Sequence, residues 1–389
     1  MIVEIKLGNF FSIMDEVVLD MRAANIQTKK SKELEENTFS YQKGRLLKTV
    51  AIYGANASGK SSIVKAIRSC VGMIINSHNN NENTVFPFAP FKFGGADKLS
   101  SFFIRFNTDG VEYEYSFEMT QTQIVKEELH YYPKGRRSKV FSRDESLGPD
   151  KKNIYDFRDA IARPMDVVAN TSKKTLFVSR ASQMGREVAQ RVFRFFYENF
   201  ILDFYNYNPL LLGRLLEDNK DQLLSVLHIA DSDIVNVSSK HELKPYTVIT
   251  TYHKNNPAVP FDFSTEESDG TQRLFFMMLT ILDIVKNNKI LLVDEIERSL
   301  HTRLVEYIIS LFNRSESAQL IYTTHNTYLL DNNKVRKDQV YFTNKRADGS
   351  TDLYSLYDYK DFRDTMDIEK AYLQGRFDAV PYINDSLGF

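Results

Sequence analysis

Gly54-Ala55-Asn56-Ala57-Ser58-Gly59-Lys60-Ser61 is an unbroken match to the pattern G-x-x-x-x-G-K-[ST]. The two glycines let the backbone fold around an anion without a side chain in the way. The loop amides and the start of the next helix then aim positive charge at phosphate. A lysine at this place reaches the β- and γ-phosphates of a nucleotide, and the hydroxyl after it suits Mg2+. Gly54, Ala55, Asn56, Ala57, Ser58, Gly59, Lys60, Ser61 and the adjoining Ser62 are therefore the candidate nucleotide-binding residues. Lys60 is also a candidate catalytic residue, and Ser61 a candidate metal ligand. The flanks agree with this chemistry. Leu46 to Tyr53 (LLKTVAIY) reads as a buried strand. Ile63, Ala66, Ile67, Cys70 and Ile74 then recur at helical spacing.

Outward from the loop, the last third of the chain predicts an alternation of helix and strand. Helices are expected over 270–286, 302–313 and 326–332, and strands over 289–293, 318–323 and 339–343. That rhythm belongs to an open α/β sheet. Ile290 to Glu295 (ILLVDE) is an apolar strand ending in two carboxylates. Asp294 is the candidate to act on Mg2+, and Glu295 the candidate to polarise an attacking water at the sheet's carboxyl edge. His325 stands just past the strand Gln319 to Thr324. Glu267-Ser268-Asp269-Gly270-Thr271 precedes an apolar helix, with Ser268 as N-cap and Gly270 open to close approach.

These segments, in this order, resemble the ABC-type ATPases of the SMC, RecF and OLD branch. The likeness is strongest to compact bacterial AAA-type ATP/GTP phosphatases, several of which occur in anti-phage defence. NFFSI at 9–13, ERSLH at 297–301, YTTHN at 322–326 and AYLQGRF at 371–377 add to it. The resemblance implies a P-loop NTPase fold of the α/β class, an ABC-ATPase-like head with a β-rich lobe and a helical insertion. It implies ATP and Mg2+ as cofactors, and two heads that sandwich ATP in a homodimer or higher even homo-oligomer. Ser268, Gly270 and Thr271 would meet the nucleotide held by the other copy, 297–300 would be the loop exchanged between copies, and His325 would contact the γ-phosphate or the water. Some features depart from the pattern. The signature segment reads ESDGT, Thr302 stands where relatives usually carry proline, and Gln183 is only a weak choice for a glutamine-loop residue. Coiled-coil arms, a Cys-x-x-Cys hook and a Toprim nuclease domain are missing, so the chain reads as an ATPase engine without a recognisable effector.

The remaining sequence sets bounds. The 389 residues carry a net charge of −1 and 42% apolar residues, enough for a large core and too neutral for a global pull on nucleic acid or anionic lipid. Cys70 is the single cysteine, which excludes an internal disulfide. Leu274 to Val285 contains Asp283 and is too short to span a bilayer, so a soluble, cytoplasmic protein without membrane contact is expected. Residues 1–20 read as a strand hairpin, 22–45 as a loop, and 102–132 as an antiparallel meander turning at Asp109-Gly110. Residues 133–153 read as a mobile basic loop, 155–230 as mainly helices, and 246–252 as a strand. The expected division is a core of 1–75 and 265–389, a β lobe of 76–150 and a mainly helical insertion of 151–264.

Three functions compete. One is an ATP-driven switch controlling a separate effector, a nuclease or toxin, in defence. Another is a RecF-like DNA-binding repair ATPase, for which Lys134, Arg136, Arg137 and Lys139 beside Tyr131 and Tyr132 form a candidate nucleic-acid patch. The third is a scaffold that binds ATP with little turnover.

Overall fold

The chain begins with β1 (Ile2–Gly8) and β2 (Val17–Asp20), a short helix α1 (Lys29–Glu33), and the hairpin β3 (Thr38–Tyr41) and β4 (Gly44–Leu47). β5 (Thr49–Gly54) leads into α2 (Lys60–Asn76). A meander follows: β6 (Ser100–Thr108), β7 (Val111–Met119), β8 (Ile124–Tyr131) and β9 (Ser138–Asp144). Next come α3 (Lys151–Ile154), β10 (Tyr155–Phe157), α4 (Pro164–Ala169), α5 (Phe177–Gln183), α6 (Glu187–Asn199) and β11 (Phe200–Ile201). α7 (Leu212–Ile229) precedes β12 (Ile234–His241), β13 (Thr247–His253) and β14 (Pro260–Asp262). α8 (Phe263–Glu266), α9 (Asp269–Lys286), β15 (Ile290–Val293), α10 (Thr302–Arg314), β16 (Gln319–Thr323), β17 (Val340–Lys345), β18 (Thr351–Ser355) and α11 (Ile368–Leu373) complete the order. This is a computed structural model, and it describes residues 1–86, 89–148, 150–158, 160–162, 164–202, 212–229, 233–241, 247–298, 300–363 and 366–380.

The central sheet has the order β11-β15-β16-β5-β17-β18, parallel except for the edge strand β18. β5, β15 and β16 are buried along their whole length, as parallel strands covered on both faces must be. Their residues alternate between two cores. Val50, Ile52, Leu292 and Ile321 face one, with α2. Ala51, Tyr53, Leu291 and Tyr322 face the other, with α9 and α10. The second sheet, β10-β9-β8-β7-β6-β1-β2, is antiparallel throughout. In β6 the period is two: Phe102, Ile104 and Phe106 are buried, while Phe103 and Arg105 are partly exposed. Phe106 stacks on Phe195 of α6 at 4.5 Å.

Gln319 ties the two sheets. Its Oε1 accepts the Ile2 N–H at 2.6 Å, and its Nε2 donates to Ile2 O at 3.0 Å and Leu47 O at 3.2 Å. The side chain is fully buried, so leucine there would leave three backbone groups without partners. Gln319→Leu is expected to lower unfolding stability by about 3 kcal/mol, measured by denaturant titration.

Several elements differ from the sequence expectation. β1 and β2 pair with the meander, so the second sheet crosses the expected division at 75/76. Within 22–45, expected as loop, α1 and the β3–β4 hairpin form, the hairpin held down by buried Phe39, Leu46 and Leu47. Residues 138–144 of the expected mobile loop form β9, whose Val140 and Phe141 are fully buried. β12 and β14 flank the one strand anticipated near 246–252, of which Tyr246 lies outside the described residues, as do Asp203, Pro209 and Leu211 of the expected helices. In place of a helix over 326–332 there is one 3-10 turn, Thr327–Leu329, capped by Asn326. Among the described residues, no helix is long and apolar enough to cross a membrane.

Candidate functional site

The loop after β5 is shaped by β17 and β18. At Gly59 φ is +110°, and a Cβ there would lie 1.9 Å from Thr351 Oγ1. At Gly54 a Cβ would meet Thr343 Oγ1 at 2.3 Å and Thr343 O at 2.6 Å. No other residue fits either place without moving a neighbouring strand. Ser58 Oγ is hydrogen-bonded to Thr343 Oγ1 at 2.6 Å. Thr351 Oγ1 lies 3.1 Å from Ser58 O and 2.8 Å from Ser12 Oγ, which in turn lies 2.7 Å from Ser62 Oγ. This run of hydroxyls pins the loop to β18 and to the turn of the opening hairpin. Asn56 and Ala57 are exposed at the loop's tip, while Ala55, Ser61 and Ser62 are half-buried.

Lys60 opens α2 and is 6% exposed. Its ammonium donates to Gly54 O at 2.8 Å and Ala55 O at 3.0 Å. Burial lowers its pKa to about 8, against the upward pull of Asp294, Glu295 and Glu297. Phosphate favours the charged form. Nucleotide binding should therefore take up a proton above pH 8, and affinity should fall as pH rises through that value. Calorimetry in buffers of different ionisation enthalpy checks this: uptake near zero at pH 6.5 should grow toward one proton well above pH 8, and Lys60→Arg should remove the trend.

The acidic pair lies two strands away, across β16. Thr323 Oγ1 accepts the Glu295 N–H at 2.7 Å and donates to Asp294 Oδ1 at 2.7 Å. One hydroxyl thus fixes both residues. Glu295 has φ +53°, a left-handed conformation unusual outside glycine, and its side chain is exposed. His325 follows β16 and is exposed, and its N–H donates to Glu297 Oε1 at 2.6 Å. Burial and the Lys60 charge lower the His325 pKa, while Glu297, Glu295 and Asp294 pull it up. Lys60, Asp294, Glu295 and His325 are thus gathered within one another's fields at the carboxyl edge of β5, β15 and β16. Thr323, Thr343, Thr351 and Ser12 were missed in the sequence. A threonine closing the buried strand Gln319–Thr323 was the available signal for Thr323.

Among the described residues, no hydrogen bond or ion pair joins Ser268, Gly270 or Thr271 to this group. Ser268 caps α9: its Oγ accepts the Thr271 N–H at 3.1 Å and lies 2.9 Å from Thr271 Oγ1. Ser268 and Gly270 are exposed. Among the described residues a Cβ at Gly270 would meet only Ser268 Oγ, at 3.7 Å, so none of them requires a glycine there. Glu267, just before, accepts from His253 Nε2 at 2.8 Å, which fastens the segment to β13. His301 caps α10, accepting the Arg303 N–H at 3.3 Å, while Ser299 lies outside the described residues. Gln183 ends α5, exposed.

Two of the four basic residues of the run are committed to carboxylates, while Lys134 and Arg136 are exposed. Arg137 donates to Glu114 at 2.7 Å, and Lys139 to Asp156 at 2.9 Å. Burial opposes ionisation of Glu114, yet hydrogen bonds from Arg105, Tyr132 and Arg137 bring its pKa down to about 2.

The site fits a triphosphate with Mg2+. Its loop has two positions that a Cβ would fill, and a buried ammonium stands beside it. The hydroxyl of Ser61 and the carboxylate of Asp294 are the hard oxygen donors that Mg2+ takes. A strand, a phosphate loop and a helix, with an acidic strand in the same parallel sheet, define a P-loop nucleotide-binding protein of the α/β class. The chain belongs to the family described as "AAA domain, putative AbiEii toxin, Type IV TA system", whose profile matches residues 50–331. No curated protein matches it. Among solved structures it is similar to an SMC head bound to the C-winged helix domain of ScpA, at 15% identity over 96% of this chain and 99% of that one, TM-score 0.43. It is also similar to the SMC head domain from Thermotoga maritima, at 15% identity over 91% and 98%, TM-score 0.40.

Proposed function

We propose that the chain is an ATP-hydrolysing switch that works as a closed pair of heads. What supports this reading is the strand order β15-β16-β5, with the phosphate loop, Asp294, Glu295 and His325 at one sheet edge. The amides of residues 54–62 receive the phosphates, and Lys60 exchanges its two loop carbonyls for phosphate oxygens. Ser61 and Asp294 would hold Mg2+, which offsets phosphate charge when bound. Glu295, exposed and free of side-chain hydrogen bonds among the described residues, accepts the proton of the attacking water. His325 stands on the γ-phosphate side.

Ser268, Gly270 and Thr271 complete the site of a second copy. The exposed cap, and a glycine with open space around it, support that role. The pair closes on ATP and opens after hydrolysis, and the motion controls a separate nuclease or toxin. The family description, which names a putative toxin of a type IV TA system, accords with a toxin–antitoxin setting. The nucleic-acid reading loses part of its support, because Arg137 and Lys139, two of its four basic residues, already hold carboxylates.

A mixing experiment tests the pair. Gly270→Glu has room in the isolated chain and a favourable place in the first turn of α9, yet would set a carboxylate against the partner's phosphates. Gly270→Glu and Lys60→Ala are each expected to be inactive alone. Mixed in equal amounts, they should regain roughly a quarter of the wild-type rate, since half the dimers hold one intact site of two. No recovery on mixing would refute the shared site.

A further inference from the structure

The turn after the acidic pair carries a third carboxylate. Arg298 N donates to Glu295 O at 2.9 Å, and Leu300 N to Glu297 O at 2.9 Å. This tight turn carries Glu297 over the end of β16, where its Oε1 takes the His325 N–H at 2.6 Å. Its Oε2 is screened from solvent and has no hydrogen-bond partner among the described residues. The Glu297 charge bears on Lys60 and His325, and on the buried hydroxyls of Tyr53 and Tyr322. A screened acceptor without a donor is costly, and native proteins seldom keep one without a use. A clamp on the His325 backbone needs one oxygen only, and a glutamine would provide it.

We infer that Glu297 is a positioning residue of the hydrolytic site: one oxygen fixes the backbone carrying His325, and the other is held for a hydrogen-bond donor that arrives with the bound triphosphate. The inference rests on the ATPase reading above. Its consequence is a step between binding and chemistry. The turn holding Glu295 and the backbone holding His325 are locked together through Glu297, and the lock is completed only in the loaded site. Because the interaction is absent from the free protein, it contributes to turnover rather than to folding or first binding.

Glu297→Gln separates the two oxygens. The amide oxygen still accepts from His325, while the amide nitrogen presents a donor where an acceptor is needed. Steady-state phosphate release should show kcat down roughly 10- to 100-fold, with KM, nucleotide affinity and thermal midpoint close to wild type. Glu297→Asp, which keeps both oxygens on a shorter arm, should fall between the two. A Glu297→Gln protein with wild-type kcat would reduce Glu297 to a clamp and overturn the inference alone. If the wild type itself were no faster than Glu295→Gln, the ATPase reading would fall, and this inference with it.

Discussion

Glu295→Gln is expected to cut phosphate release by about a thousandfold while nucleotide affinity stays within a few-fold of wild type. Glutamine has the same shape but cannot take a proton from water. The scaffold around it is untouched, because Glu295 is fixed through its backbone N–H on Thr323. Its left-handed backbone strains both side chains alike. Among the described residues the exposed carboxylate makes no side-chain hydrogen bond, so its loss leaves none of them without a partner. Equal rates for wild type and variant would return the chain to a scaffold that binds ATP without using it.

Lys60→Ala should weaken nucleotide binding by about a hundredfold or more, since a charge-assisted hydrogen bond is worth about 1.5–3 kcal/mol and the ammonium serves more than one phosphate oxygen. The fold should survive. Lys60 spends its hydrogen bonds on two carbonyls only, Gly54 O and Ala55 O, at the carboxyl end of β5. Removing a buried ammonium whose pKa is already pushed down to about 8 also relieves a desolvation cost. Calorimetric titration with Mg·ATP reads the affinity, and the thermal midpoint separates lost binding from lost folding. A variant that binds as tightly as the parent would place the phosphates elsewhere.

The phosphate loop and the acidic strand were legible because each is one continuous stretch, with its chemistry in the spacing. The parallel sheet was legible for a related reason: ILLV of β15 and the buried run of β5 have no polar interruption. What could not be read depends on residues distant in the chain. Thr351 and Ser12 serve the loop across 293 and 50 positions. β9 was hidden because Arg143 breaks its apolar pattern. That side chain is fully buried, held by Thr175 O at 2.8 Å and by Glu145 and Glu127, and partners as distant in the chain as Thr175 and Glu127 leave no periodic trace. The β3–β4 hairpin was hidden by its brevity and by polar residues on its outer face. Glu297 lies in the segment expected to be exchanged between copies, and nothing in that expectation pointed to its carboxylate holding the His325 backbone of its own chain.

Amide hydrogen exchange of the wild-type protein, with and without Mg·ATP, bears most directly on the central claim. If the turn from β5 to α2 cradles the triphosphate, the amides of residues 54–62 should slow markedly when nucleotide is added, and the ends of β15 and β16 with them. Unchanged exchange across that turn at saturating nucleotide, or protection confined to another part of the molecule, would contradict it.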